Sequence, residues 1–348
     1  MNLVPLFGCL AGLATLAGGC TVSKPTTQIL GGFDVAADDS EVLFAALSPG
    51  QSGLYKLTIA TGAVVAVVSK DSGVVHSPCY AADQKRLFYV HSRREAGQML
   101  HTIETSTLAG DSTTILFATN QLITTLLVAP HANKLYFVAA RDIGHSSPIA
   151  PARPRNLNLY CIEPGSTTAQ LALALPDYVP WCQLQLDQSG EQLFLCLHTA
   201  PNTDPSGPYS LSLSHEGFSY LMPASLLTNR ARLVAPESGK AVRFPKFYAE
   251  FTQPVPSYSG KGYFLLGYQQ ILKVNPDSDK VRLLYQNPSQ RGKQAQRPEY
   301  YTIQGATSLH RTPGLVVQET GSQTLRFIKL DDDGHSQAIP VSLLLPKR

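Results

Sequence analysis

Asp83-Gln84-Lys85-Arg86-Leu87-Phe88-Tyr89-Val90 joins a polar turn to an abrupt run of strand-forming residues. The same change recurs in DDSEVLFAA (38–46), HANKLYFVAA (131–140), DQSGEQLFLCL (187–197), YSGKGYFLLG (258–267) and HRTPGLVVQE (310–319). Aligning Val42, Leu87, Leu135, Leu193, Tyr263 and Leu315 gives spacings of 45, 48, 58, 70 and 52 residues. A period in that range with strand content throughout is the mark of radially repeated sheets.

Each unit holds two further alternating stretches. GLYKLTI (53–59), QMLHTIET (98–105), LNLYCIE (157–163), YSLSL (209–213), QILKVNP (270–276) and TLRFIKL (324–330) fit a third strand. GAVVAVVS (62–69), STTILFAT (112–119), TAQLALAL (168–175), FSYLMP (218–223), KVRLLYQ (280–286) and QAIPVSLLL (337–345) fit a fourth. Alternation such as Leu54 and Lys56 suits a sheet with two unlike faces. A lone four-stranded sheet leaves both faces wet, and packing blades in a ring buries them. The expectation is an all-β fold, a six-bladed β-propeller of four-stranded antiparallel blades. Blade 1 then packs on blade 6 with no strand shared across the junction.

The polar turn followed by Leu-Phe or Leu-Tyr-Phe, then Leu-Tyr-x-Leu and Thr-Gly, resembles the TolB-like six-bladed propeller family over residues 28–345. Fragments of that family's turn stand at Ser77-Pro78 with Asp83, at Ala129-Pro130 and at Asp187-Ser189-Gly190. The resemblance implies the propeller fold, a place in the cell envelope and a non-catalytic binding role. It carries over no catalytic residue.

The composition agrees with a large folded core, at 43% hydrophobic and 15% charged over 348 residues. A net charge of +3 gives no reason to expect nucleic acid. Residues 3–19 carry no charge and are rich in Leu, Ala and Gly. They are short for a membrane span of about 20 residues and read as an export signal. Leu16-Ala17-Gly18-Gly19-Cys20 resembles a bacterial lipoprotein signal, which implies lipidation at Cys20. Thr21 after it resembles outer-membrane sorting. Cleaved secretion and an uncleaved anchor are the alternatives. The chain thus divides into 1–19 signal, 20–27 tether and 28–348 propeller.

Propeller topology sends the second-to-third-strand connections and the links between blades to one face. The long loops all fall there: 91–98, 140–156, 198–208, 228–246 and 286–299. They hold 13 basic and 5 acidic residues, so they carry +8 and the remainder of the chain −5. Rigidly held loops of this length commonly bind. The expected contacts are Arg93, Arg94, Arg141, Arg230 and Arg232, with Trp181, Tyr248 and Tyr301 at the channel mouth. The partner is an envelope protein or an anionic glycan, and the membrane is reached through the N-terminal lipid. The plain alternative is that polar loops simply collect exposed bases, and that the aromatic residues pack between blades.

There is no HExxH, GxSxG, Gly-rich phosphate loop or EF-hand loop, and no cofactor is expected. His76, His91, His145 and His198 fall at or near the loop-rich face. The second reading is therefore an exported hydrolase or lyase with a metal at the channel mouth, which needs at least three convergent His, Asp or Glu side chains. Cys182 and Cys196 face each other across a hairpin if their register allows it, and buried free thiols are the alternative.

Overall fold

The computed structural model describes residues 28–48, 50–129, 134–144, 153–163, 165–175, 181–186, 192–198, 207–212, 218–220, 232–234, 241–242, 253–256, 263–267, 270–274, 280–286, 302–320 and 325–339. Blade 1 is β1 (Gln28–Val35), β2 (Glu41–Ser48), β3 (Gln51–Thr58) and β4 (Val64–Lys70). Blade 2 is β5 (Val74–Tyr80), β6 (Arg86–Glu95), β7 (Gln98–Thr107) and β8 (Thr113–Thr119). Blade 3 is β9 (Leu122–Ala129), β10 (Lys134–Gly144), β11 (Arg153–Ile162) and β12 (Ala169–Ala174). Blade 4 is β13 (Trp181–Leu186), β14 (Gln192–His198), β15 (Gly207–Ser212) and β16 (Phe218–Tyr220). A hairpin, β17 (Arg232–Val234) and β18 (Ala241–Val242), precedes blade 5, which is β19 (Gln253–Pro256), β20 (Tyr263–Leu266), β21 (Gln270–Val274) and β22 (Lys280–Gln286). Blade 6 is β23 (Thr302–Ser308), β24 (Gly314–Thr320), β25 (Leu325–Asp331) and β26 (Ser336–Ile339). Of strands β13 to β19 the backbone is described, and of their side chains only Leu184 and Val255.

Every blade is an antiparallel meander, so the six-bladed all-β expectation holds. The innermost strands β1, β5, β9, β13, β19 and β23 touch in that order and close a ring. Blade 5 departs from four strands. The stretch 228–246, expected as loop, contributes β17, which pairs in parallel with β22 and widens the sheet to six.

The apolar clusters lie between blades. Leu43, Ala45, Leu54 and Val68 of blade 1 meet Val75, Tyr80, Leu87 and Tyr89 of blade 2. At the ring's seam Phe33, Val42, Phe44 and Leu57 pack on Leu309, Val316, Phe327 and Ile339. Phe327 stands edge-on to Phe33 at 5.3 Å between ring centroids and lies 5.7 Å from Phe44. Among the described residues no strand crosses the seam, as the sequence leads one to expect.

Two small devices fix blades on the ones before them, the first at the junctions of blade 2 with 1 and blade 1 with 6, the second at those of blade 2 with 1 and blade 6 with 5. In the turn that opens the repeat, Gln84 takes a left-handed conformation with φ of 55°. Its side-chain oxygen accepts the amide of Ala37 in blade 1 at 3.1 Å. Asp39, the equivalent residue of blade 1, has φ of 61°. Its carboxylate accepts the amides of His310, Arg311 and Thr312 in blade 6 at 2.6 to 3.0 Å. The seam therefore uses the same clasp as an interior junction. The second device pairs a β-bulge with a glycine. Outer strands β4 and β22 bulge at Val67 and Leu284. The carbonyl of each bulged residue meets the last turn of the following blade at Gly110 and Gly334. A Cβ there would stand 1.7 Å from the Val67 oxygen or 2.6 Å from that of Leu284, and both glycines have positive φ, so only glycine fits.

Candidate functional site

The last turns of β6 at the loop-rich face read Val90-His91-Ser92-Arg93. Here both faces of the strand stay buried after the apolar residues run out, with Val90, His91 and Ser92 buried in succession. The side chain of Glu104 on β7 is 3% exposed and sits at the blade 1–blade 2 junction. Its Oε2 accepts the hydroxyl of Tyr89 at 2.9 Å and pairs with Lys70 Nζ of blade 1 at 2.9 Å. Its Oε1 faces His91 Nδ1 at 3.0 Å and Thr102 Oγ1 at 3.0 Å, with Arg93 Nη1 at 3.7 Å. His91 Nε2 points at the carbonyl of Ser72 at 2.9 Å, so both ring nitrogens face acceptors. Burial pushes the Glu104 carboxyl up, but the hydrogen bonds from His91, Lys70 and Tyr89 outweigh it and hold it at about 2.

On the opposite side of the same sheet, toward blade 3, a neutral chain continues. Ser77 Oγ lies 3.1 Å from His76 Nδ1, and His76 Nε2 lies 3.1 Å from Ser92 Oγ. Ser92 Oγ lies 2.7 Å from His101 Nδ1. Ser77 occupies a bulge of β5 with φ of 50°, and its hydroxyl donates to the carbonyl of Thr124 in blade 3. Burial lowers His76 to about 3, with further lowering from His101 and His91, and burial lowers His101 to about 4.

The pair Ser77–His76 has the spacing of a nucleophile and its base. A histidine near 3 is too weak a base at neutral pH for that work, and both residues are buried. Among the described residues no group of three or more His, Cys, Asp or Glu is arranged to hold a metal ion.

Of the residues expected at the face, Arg94 and Arg141 are exposed on two hairpins of adjacent blades. The stretches 91–98 and 140–156, expected as loops, are partly strand. β6 pairs with β7 out to Glu95–Gln98, and β10 with β11 out to Gly144–Arg153. Asn156 steadies the second hairpin by donating to Asp142 at 2.8 Å, and the Arg155 guanidinium lies over Gly144. Arg93 is not a free loop charge: it is half-buried against Glu104, Glu95 and Thr102. Reversing it would break the interior, contrary to what an exposed loop position allows. Arg232 lies in β17 on the outer edge of blade 5, and Trp181 opens β13 opposite His198. Their side chains, and Cys20, Arg230, Tyr248, Tyr301 and His145 altogether, lie outside the described residues. The β13–β14 register pairs Cys182 with Leu197 and Gln183 with Cys196, so the two cysteines are offset and not opposed. Cys79 and Cys161 are buried free thiols. Lys70, Tyr89, His101 and Glu104 escaped the sequence reading. The signal available was Glu104 and His101 within one strand stretch, QMLHTIET, with His91 on the strand before it.

A closed ring of six antiparallel blades with its polar centre at one end defines a β-propeller of the TolB-like fold. No family profile and no curated protein matches the sequence. Among solved structures, TolB from Acinetobacter baumannii is similar at a TM-score of 0.50 and 11% identity, over 88% of this chain and 68% of that one. An oligogalacturonate lyase in complex with manganese is similar at 0.51 and 12%, over 89% and 77%. Prolyl oligopeptidase B from Galerina marginata is similar at 0.50 and 9%, over 90% of this chain and 44% of that one. At these identities the likeness is one of fold.

The site makes the fold acid-sensitive. The two depressed histidines are neutral when folded, and the unfolded chain takes up their protons below about pH 6.5. Their stability contribution is full above that pH and falls as the pH drops toward 4 and then 3. Glu104 acts in the same direction between its ordinary 4.5 and about 2. Urea unfolding from pH 7.5 to 4.5 should lose up to about 1.4 kcal/mol per pH unit for each histidine. His101→Gln should flatten that slope; an unchanged slope would mean the ring is wet and ordinary.

Proposed function

We propose that the chain is a non-enzymatic envelope-binding propeller, held to a membrane through lipid at Cys20. Its loop-rich face recognises an envelope protein or an anionic glycan. The observation that carries the reading is the pair of hairpins extended beyond blades 2 and 3, with Arg94 and Arg141 exposed on them. Beneath the first, Glu104 is fully engaged by Lys70, His91, Tyr89 and Arg93, which braces the hairpin without adding a free acid to the face. Exposed bases on a braced scaffold attract anions at low ordering cost. The membrane tether and envelope location rest on the run ending at Cys20 and on the family resemblance.

The enzyme reading has one favouring observation, the spacing of Ser77 and His76. The acid depression of His76 argues against it at neutral pH.

Binding to a polyuronate, as a probe of anionic glycan, should weaken steeply from 50 to 300 mM salt because exposed charges are screened within about 8–10 Å. Arg94→Glu with Arg141→Glu should lower affinity by about tenfold or more and leave the thermal midpoint nearly unchanged, since exposed substitutions cost under about 0.5 kcal/mol. Affinity indifferent to both salt and reversal contradicts the anionic-partner reading. Cys20→Ser should move the chain from the membrane to the soluble fraction, because each buried acyl CH₂ contributes about 0.8 kcal/mol of anchoring. Retention in the membrane with an unmodified N-terminus contradicts the tether.

A further inference from the structure

β1 begins at Gln28, whose backbone pairs with Leu47 beside the β2–β3 turn. The propeller therefore starts on the loop-rich face, on an innermost strand at the channel mouth. Cys20 lies eight residues earlier. Eight residues reach at most about 28 Å when fully extended. To bring a lipid at Cys20 round the rim to the opposite face, the chain would first cross three strand spacings, about 14 Å. It would then descend a strand of eight residues, about 26 Å. That path is about 40 Å and exceeds the reach. The loop-rich face is the one that the tether can hold close to a bilayer.

The same face carries what an anionic headgroup layer attracts. β2 runs six residues beyond the aligned Val42, β6 eight beyond Leu87 and β10 nine beyond Leu135. The hairpins of blades 2 and 3 thus rise about 7 to 10 Å above the blade 1 turn from which the chain start emerges. Arg94 and Arg141 are exposed on them. Ile143, two residues after Arg141 on the same strand, is 45% exposed at the hairpin tip. The acids nearby are Asp71, Glu95 and Asp142. Glu95 is paired with Arg93 at 3.2 Å, and Asp142 accepts the amide of Asn156 at 2.8 Å. An exposed aliphatic residue beside arginine suits the boundary between headgroups and acyl chains, where the guanidinium stays among the headgroups.

We infer that the propeller stands with its loop-rich face toward the membrane that tethers it, and that the β6–β7 and β10–β11 hairpins dock on the anionic lipid headgroups of that membrane. The inference rests on the lipid at Cys20 proposed above and names the anionic surface that Arg94 and Arg141 meet. A tether of eight residues keeps both arginines at high effective concentration beside the headgroups, so even a weak attraction fixes the orientation. The opposite face, with its tight turns, is left open to the aqueous side.

The test uses the mature chain, residues 20–348, on vesicles of equal parts phosphatidylglycerol and phosphatidylethanolamine. With the lipid in place, brominated acyl chains should quench the added fluorescence of Ile143→Trp and spare that of Lys85→Trp, an exposed turn residue of the opposite face, each read against the native Trp181. Quenching of Lys85→Trp, or of neither, overturns the proposal. The same chain made without lipid tests docking apart from the tether. It should bind these vesicles about tenfold or more tighter than phosphatidylcholine vesicles, and lose about tenfold or more with Arg94→Glu and Arg141→Glu while circular dichroism stays unchanged. Equal binding to neutral vesicles, or binding that the reversals leave intact, overturns the docking. So does binding of a polyuronate without binding of anionic vesicles, which returns the hairpins to a glycan. A mature N-terminus whose mass shows no lipid overturns the tether, and the orientation with it, while the chain without lipid still decides the docking.

Discussion

Among the described residues blades 1, 2, 3 and 6 are apolar on both faces, and no sheet can bury both alone. That constraint governs the molecule. Leu43, Leu54, Leu87 and Tyr89 are fully buried because blades 1 and 2 lie on one another. Fully burying side chains of this size contributes about 1.5–3 kcal/mol each. A ring is the arrangement in which no blade is last. The seam between blades 6 and 1 must then be as good as any interior junction. It is built from the same parts: an aromatic cluster around Phe327, and the Asp39 clasp where blade 2 uses Gln84.

The rigid ring permits the polar centre of blade 2. A buried carboxylate is costly unless paired and hydrogen-bonded. Glu104 is tolerated because Tyr89 and His91 on the neighbouring strand, and Lys70 from the preceding blade, are delivered to it by packing that is already fixed. The return is at the surface. The β6–β7 hairpin rises from this anchored base, so Arg94 is presented from a firm stem. Beside it stands the β10–β11 hairpin with Arg141.

The strand pattern was legible because turns and alternation are local. The stretch Asp83–Val90 sufficed to align six blades, and the missing seam strand followed from counting complete units. The polar centre was hidden because it depends on which residues meet. Lys70 and Glu104 are 34 positions apart on different blades, and Glu104 in QMLHTIET reads as an ordinary solvent-facing strand residue. Arg93 looked like loop charge because the sequence does not show that β6 runs on past Val90. Bulges at Val67, Leu116, Ala172 and Leu284 leave no mark in composition. β17, three residues in a stretch of turn-formers, is too short for periodicity to find.

The central claim is that blade 1 closes directly on blade 6, through the apolar faces around Phe327 and the Asp39 clasp. A double-mutant cycle on Phe44 and Phe327 tests it most directly. They belong to opposite ends of the chain and meet only if the ring is shut. Unfolding free energies of Phe44→Leu, Phe327→Leu and the double variant should reveal a coupling of about 0.5–1.5 kcal/mol, as for aromatic pairs in contact. Costs that add to within about 0.3 kcal/mol, as distant sites do, would contradict a closed ring.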